Sequence, residues 1–274
     1  MAEEQVVDNA PHGGIALATR RDPLTGRLSG FPWWLLAILL ILVSAAFFIS
    51  TSETYRKAFE FIIRGITITV QTTIYAYLIA MVIGLVMGLG RVSRNVVIRN
   101  IARFYVEVVR GIPMLVLIFY IAFVAVVDFA ELIGVAGRDV PMNSRAVIAL
   151  AITYGAFSAE IFRAGIQSIG IGQMEAARSL GMSYGQAMRY IILPQAIRNV
   201  LPALGNDFIA MLKDSSLVSV LAVRDITQVA RLHAGSTFRF REAYTILAVL
   251  YLSMTLMLSA LVQWLERRMH VSHK

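Results

Sequence analysis

Five ionisable side chains, Glu160, Arg163, Asp207, Lys213 and Asp214, interrupt stretches that are otherwise apolar enough to sit in a bilayer. A charge at the centre of a membrane helix costs on the order of 3 kcal/mol, so such residues persist where they bind, relay or pair. At that depth they could line a substrate path, or the acids could couple a proton or sodium gradient. Spacing supplies competing structural readings. Glu160 and Arg163, three apart on one helix, suit a mutual pair. Lys213 and Asp214 suit pairing between helices, whereas Asp207 and Asp214 share a face and could line a pathway or meet a partner subunit. Thr69, Thr72 and Thr73 cluster on one side of another apolar run, with the Gln71 amide nearby. Their hydroxyls either bond back to their own helix or hydrogen-bond a zwitterionic solute.

Catalytic chemistry is scarce by comparison. The chain has no cysteine, which excludes disulfides, thiolate metal sites and cysteine nucleophiles. His12, His233, His270 and His273 lie in tails or a loop without metal-ligand company and read as solvated surface, so no metal site and no catalytic residue is assigned. A Gly-x-x-x-x-Gly-Lys-Ser/Thr phosphate loop is absent, so this chain does not hydrolyse ATP in that way.

The elements that must position these residues are membrane spans. At 58% hydrophobic, 15% charged and a mean hydropathy of +0.69, a chain of 274 residues is too apolar for a soluble domain. About 20 residues cross a bilayer core of about 30 Å. Runs of that size occur at about 31–50, 62–90, 112–135, 146–167 and 244–265, and a more polar one at 199–223. Trp33 and Trp34 sit where aromatic residues anchor at an interface. Residues 1–30 lack periodicity and read as a poorly ordered tail, and the first run reads as a retained span rather than a signal peptide. Gly84 and Gly88 form a small-xxx-small pair suited to close helix packing.

Loop charge sets the count. The 91–110 segment carries five arginines against Glu107, the insert at 168–198 carries Arg178, Arg189 and Arg198 against Glu175, and the C-terminus is basic. Basic loops favour the cytoplasm, so the polar run at 199–223 must also cross, giving six spans with both termini inside. The 224–242 segment resists this scheme. It is assigned outside, yet holds Arg224, Arg231, Arg239 and Arg241 against Asp225 and Glu242. The net charge of +8 does not imply nucleic acid, because the arginines are scattered between apolar runs.

The insert contains "EAARSLGMSYGQAMRYIILP", which is helical in pattern and too polar to span. Its first helix stops at Gly181, suited to a left-handed cap. Ser183 and Gln186 have capping-box spacing, so a second helix starts near Tyr184 and runs to Pro194, with Ala187, Tyr190, Ile191 and Pro194 on one face. Such a pair could merely fill space at the bilayer surface.

The residue order adds more. Glu175, Ala176, Ala177, then Gly181, then Ile191, Leu193 and Pro194 resemble the EAA loop in permease subunits of ATP-binding-cassette importers. "YVEVVRGIPMLVLIFYIAF", "YGAFSAEIFRAGIQSI" and "LKDSSLVSVL" extend the likeness to polar amino acid permeases of the histidine and glutamine type, over about 61–265. The resemblance implies an all-α polytopic fold: a five-helix importer core at 61–265, an additional span at 31–50, and cytoplasmic tails at 1–30 and 266–274. It implies that Glu175, Ala176, Ala177, Gly181 and Ser183 dock an ATPase, with Gln186, Ile191, Leu193 and Pro194 shaping the loop. Thr69, Thr72, Thr73, Glu160, Asp207 and Asp214 become substrate-path candidates. The implied partners are two ATPase subunits, which use the ATP and magnesium, a second permease copy or paralogue, an extracytoplasmic amino acid-binding protein and the lipid of a bacterial inner membrane. Two rival readings remain open on the residues alone: an ion-gradient-driven secondary transporter and a structural membrane scaffold.

Overall fold

A computed structural model describes residues 33–270. The expectations for the 1–30 tail, His12, His273 and the last residues of the C-terminal tail lie outside the described residues. The chain falls into two compact units, Met1–Val43 and Ser44–Lys274. The described part of the first is helical, belonging to helix α1, Trp33–Thr51, which lies over the apolar run at about 31–50.

The second unit is built from helices alone among the described residues. After α1 come α2 (Glu53–Ile62), α3 (Ile66–Arg91), α4 (Val96–Gly111) and the broken run α5 (Met114–Tyr120) and α6 (Val126–Leu132). Then follow α7 (Met142–Gln167), α8 (Ile171–Ser179), α9 (Tyr184–Ala187), α10 (Leu193–Asp214), α11 (Ile226–Thr237) and α12 (Phe240–His270). Five helical stretches are long and apolar enough to cross a membrane: Trp33–Thr51, Glu53–Arg91, Met114–Leu132, Met142–Gln167 and Phe240–Arg268. Helix α10, with 22 residues, has the length, but its polar and charged residues leave it outside that set.

Helix α7 is the centre, buried along most of its length, and α3 is its main neighbour. Inside a bilayer the hydrophobic effect gives helices little reason to associate, so close packing of small side chains has to do it. Ala76, Ala80 and Gly84 on α3 meet a face of α7 rich in alanine and glycine. A Cβ on Gly84 would lie 2.5 Å from Cβ of Ser158, and one on Gly88 would lie 2.7 Å from Cβ of Phe162. Helix α10 packs against α7 and α12.

A π-turn at Ile121–Ala125 separates α5 from α6 and loosens local backbone bonding. Arg145 compensates from α7, donating from Nε to Val140 O at 3.0 Å, from one terminal nitrogen to Ala122 O at 3.3 Å and from the other to Gly137 O.

Three sequence expectations change here. The 51–61 linker is the amphipathic helix α2, whose Ala58 and Ile62 enter a core with Ile226, Ala230, Ala234 and Ala243, so the packed unit begins before residue 61. The supposed outer loop contains α11, capped by Asp225, which accepts from Gln228 N at 2.8 Å. Burial pushes this carboxyl above its usual range, and the amides of α11 oppose the shift. His233 is therefore not solvated surface. It lies on the inward side of α11, 9% exposed, with its ring 5.3 Å from that of Phe61. Finally, 266–270 is no separate tail, because α12 continues through it.

Candidate functional site

The insert folds into two short helices joined by a tight turn, with α8 ending in a Schellman motif. Gly181 has φ +83°, its N–H reaches Arg178 O at 3.0 Å, and Met182 N–H reaches Ala177 O at 3.2 Å. A second cap follows within two residues. Ser183 Oγ accepts from Gln186 N at 3.2 Å, and Gln186 Oε1 accepts from Ser183 N at 2.8 Å, completing the capping box. These bonds link the two helix ends through neighbouring residues, so the turn between them is held locally. Ser183→Ala is expected to remove about 1 kcal/mol of this cap. Faster amide exchange at Tyr184–Gln186, with the membrane bundle unchanged, checks it.

Glu175, Ala176, Gly181, Ser183 and Gln186 are exposed on this knob, together with the apolar side chains of Ile171 and Leu180. Ala177 is not. It is 4% exposed, because α8 turns this side, with Met174, inward. A buried side chain cannot meet a docking partner, so Ala177 shapes the knob rather than presenting it.

The second helix departs from expectation at its far end. Pro194 does not stop it. A π-turn at Met188–Ile192 carries the chain into α10 with Pro194 in the first turn, where a missing N–H is tolerated. The extra residue per turn also rotates the buried face. Ala187, Ile192 and Ala196 are buried, whereas Tyr190 is 61% exposed and Pro194 is open. Ile191 and Leu193 are half-buried. Asn199 Nδ2 donates to Ser168 Oγ at 3.1 Å, tying α10 back to the end of α7.

Sequence spacing did not reveal the contact that anchors the knob from elsewhere. The Arg94 guanidinium lies 4.4 Å from the ring centroid of Tyr184, in cation–π geometry. Arg94 registers in the sequence only as one of the basic residues of 91–110.

The intramembrane candidates form separate groups. Glu160 pairs with Arg163 on its own helix, Nε to Oε1 at 3.0 Å, and with Arg91 on α3 at 2.7 Å. Arg163 also donates to Gln167. Asp207 accepts from Ser158 Oγ at 3.1 Å and Asp214 accepts from Tyr154 Oη at 2.7 Å, so both aspartates of α10 face α7. Tyr77 donates to Leu204 O on the same helix. The pairing between helices expected of Lys213 and Asp214 is made by Asp214, through Tyr154, whereas Lys213 is exposed and makes no ion pair with a described residue.

The threonines are enclosed. Thr69 donates to Gly65 O at 3.1 Å and accepts from Ile226 N at 3.0 Å; Thr73 donates to Thr69 O at 2.8 Å; Thr72 donates to Asn143 Oδ1 at 2.8 Å. All three are at most 1% exposed, and they fasten α3 to itself, to α7 and to the start of α11. Among the described residues no group of acids and histidines could hold a metal ion.

A helical membrane bundle carrying a capped, exposed two-helix knob between two of its long helices has the form of a transport permease. The chain belongs to the family described as binding-protein-dependent transport system inner membrane component, which matches residues 80–271. The glutamine transport system permease protein GlnP of Escherichia coli is 36% identical over 214 residues, covering 78% of this chain and 95% of that protein. The probable amino-acid permease protein YxeN of Bacillus subtilis is 35% identical over 213 residues, covering 78% and 93%. A solved amino acid ABC transporter crystallised with histidines matches with a TM-score of 0.68 and 43% identity, over 78% of this chain and 95% of that one.

Proposed function

We propose that this permease carries a polar amino acid into the cell and is driven by ATP hydrolysed on two separate ATPase subunits that dock on the Ile171–Ile192 knob. The observation that carries the reading is the knob itself. It is rigidly capped, exposes Glu175, Ala176, Gly181 and Ser183, and runs without a break into α10. A load applied to it reaches the membrane helices directly.

The rest of the assembly follows from the family and its chemistry. A second permease, copy or paralogue, completes the passage, and an external binding protein delivers the solute. The relatives named above supply the substrate class, a polar amino acid. Helix α10 crosses the membrane as a sixth span, which places the knob and both termini in the cytoplasm. Its two aspartates are affordable at depth because Ser158 and Tyr154 hydrogen-bond them. Of the substrate-path candidates, Glu160, Asp207 and Asp214 remain partly open, whereas Thr69, Thr72 and Thr73 are consumed by helix packing. The acids are therefore the solute-facing set, and the threonines hold the bundle.

Reconstitution tests this. Uptake into proteoliposomes should require the ATPase subunits, ATP with magnesium and the binding protein together. Uptake by this chain without ATPase subunits, driven by a proton or sodium gradient, would instead identify a secondary transporter. Normal uptake after deletion of 171–187 would leave the knob a spacer.

A further inference from the structure

The start of α2 and the far end of α11 enclose a cleft of about 300 Å³, lined by Glu53, Thr54, Lys57, His233, Thr237 and Arg239. Its place relative to the bilayer follows from the span beside it. Helix α3, with 26 residues and roughly 39 Å long, crosses a bilayer core of about 30 Å by itself, so α2 is left over at the membrane surface. At its other end α3 packs Leu89 against the cluster of Ile166, Ile192 and Ala196, beside the knob. The cleft therefore lies on the face opposite the knob.

Two cations and one acid line it. Lys57 pairs with Glu53 at 2.7 Å, and Arg239 reaches Glu242 at 3.5 Å, outside the cleft lining. The Thr237 hydroxyl donates to His233 O. The His233 ring is the group left over. It is nine-tenths buried and lies against Phe61, yet neither ring nitrogen hydrogen-bonds a described residue. Buried polar groups are normally partnered, and an imidazole always has at least one N–H to donate. One that lacks a protein partner and lines a charged cleft marks a place for a ligand.

The border of the cleft selects the ligand. Phe61, in contact with His233, is 40% exposed, and Phe238, between the lining residues Thr237 and Arg239, is 81% exposed. Phe240 follows, also exposed and stacked on Tyr244. Outward aromatic rings at the end of membrane spans belong where headgroups meet acyl chains. A charged cleft bordered by such rings stands at headgroup depth.

We infer that the cleft binds the headgroup of an ethanolamine phospholipid. The phosphate diester accepts from Lys57, Arg239 and the His233 N–H, as charge-assisted hydrogen bonds. Glu53 disfavours a purely anionic headgroup and accepts instead from the primary ammonium. A choline headgroup has no N–H to give it. The lipid thus clamps α2 to α11 and fills the one hydrogen-bonding gap on His233. The site belongs to whichever leaflet lies opposite the knob, so it stands apart from the solute and from the direction of transport.

The full-length permease, purified in detergent and stripped of lipid, tests this by native mass spectrometry. Dioleoyl phosphatidylethanolamine is expected to be retained about fivefold more than dioleoyl phosphatidylcholine at equal concentration. Equal retention would overturn the proposal. Lys57→Gln with Arg239→Gln is expected to cut retention of the ethanolamine lipid about tenfold, and because both side chains are exposed this variant reads binding rather than folding. His233→Phe, which keeps a ring against Phe61, is expected to cut it about threefold, with the melting temperature in lipid-free detergent unchanged. Glu53→Gln should keep lipid bound but erase the preference for ethanolamine over choline. Parent-like retention in the double variant, or a parent-like preference in Glu53→Gln, would place the lipid elsewhere on the bundle and overturn the site. Phosphoethanolamine without acyl chains separates the sources. If it displaces the lipid at equal concentration, the cleft serves a soluble phosphate ester and the lipid assignment falls.

Discussion

Gly181→Arg is expected to leave the permease in the membrane at normal yield and to cut co-purifying ATPase at least tenfold. The residue stands at φ +83°, and a Cβ built there meets nothing within 4 Å. The substitution therefore collides with nothing in this chain. Its internal cost is the left-handed strain of an L-residue, about 1–2 kcal/mol, borne by a turn that two caps hold in place. Its external effect is larger, since a long cation now projects from an exposed turn of the knob into the space a partner must occupy. A tenfold loss of binding corresponds to about 1.4 kcal/mol, which one misplaced side chain at a close-packed interface readily exceeds. Gly181→Ala separates the two effects, because alanine carries the strain with little of the bulk. Its loss should be modest. Wild-type ATPase yield and turnover with Gly181→Arg would refute docking at this turn.

The second large effect is expected inside the bilayer. Gly84→Leu should lower the melting temperature of the detergent-purified protein by several degrees and reduce its yield. The side chain would start 2.5 Å from Cβ of Ser158 and 3.1 Å from the backbone nitrogen of Ala159, so the α3–α7 pair must part. Overpacking of this kind costs about 1–3 kcal/mol, and here backbone rather than a flexible tip is in the way. Ser158, the residue the new side chain pushes against, also donates to Asp207 on α10, so displacing it strains the bond that makes that carboxylate tolerable within the bundle. Gly111→Ala is the control, because nothing lies within 4 Å of its Cβ position. Equal melting curves for Gly84→Leu and the parent would show that the seam is not what holds the bundle.

Whether a feature could be read from the sequence depended on how far away its partners lie. The Gly181 turn and the Ser183–Gln186 box were legible because every atom involved lies within a few residues. The apolar spans were legible for the same reason, as runs. The face of the second loop helix was not. Reading Ala187, Ile191 and Pro194 as a stripe assumes 3.6 residues per turn throughout, and the π-turn at Met188–Ile192 shifts the stripe to Ala187, Ile192 and Ala196. Composition carries no mark of that extra residue. Helix α11 was missed because its apolar stripe is short and half alanine, with Ile226 and Val229 beside Ala230 and Ala234, and alanine gives weak amphipathic contrast in an arginine-rich segment. The distant partners of the acids within the bundle were beyond reach. Glu160 meets Arg91 across 69 residues of sequence, and Asp214 meets Tyr154 across 60. Spacing named only Arg163, for Glu160, and that pair is present.

The π-turn has a mechanical side as well. Because it lets the chain pass Pro194 without breaking, residues 184–214 form one continuous helical rod, roughly 45 Å long at about 1.5 Å per residue. By simple trigonometry, pivoting such a rod by about 10° about its Tyr184 end moves its far end by about 8 Å. The knob is thus the short handle of a crank whose long arm carries Asp207 and Asp214, and a small tilt imposed at Tyr184 becomes a helix-wide displacement inside the bilayer.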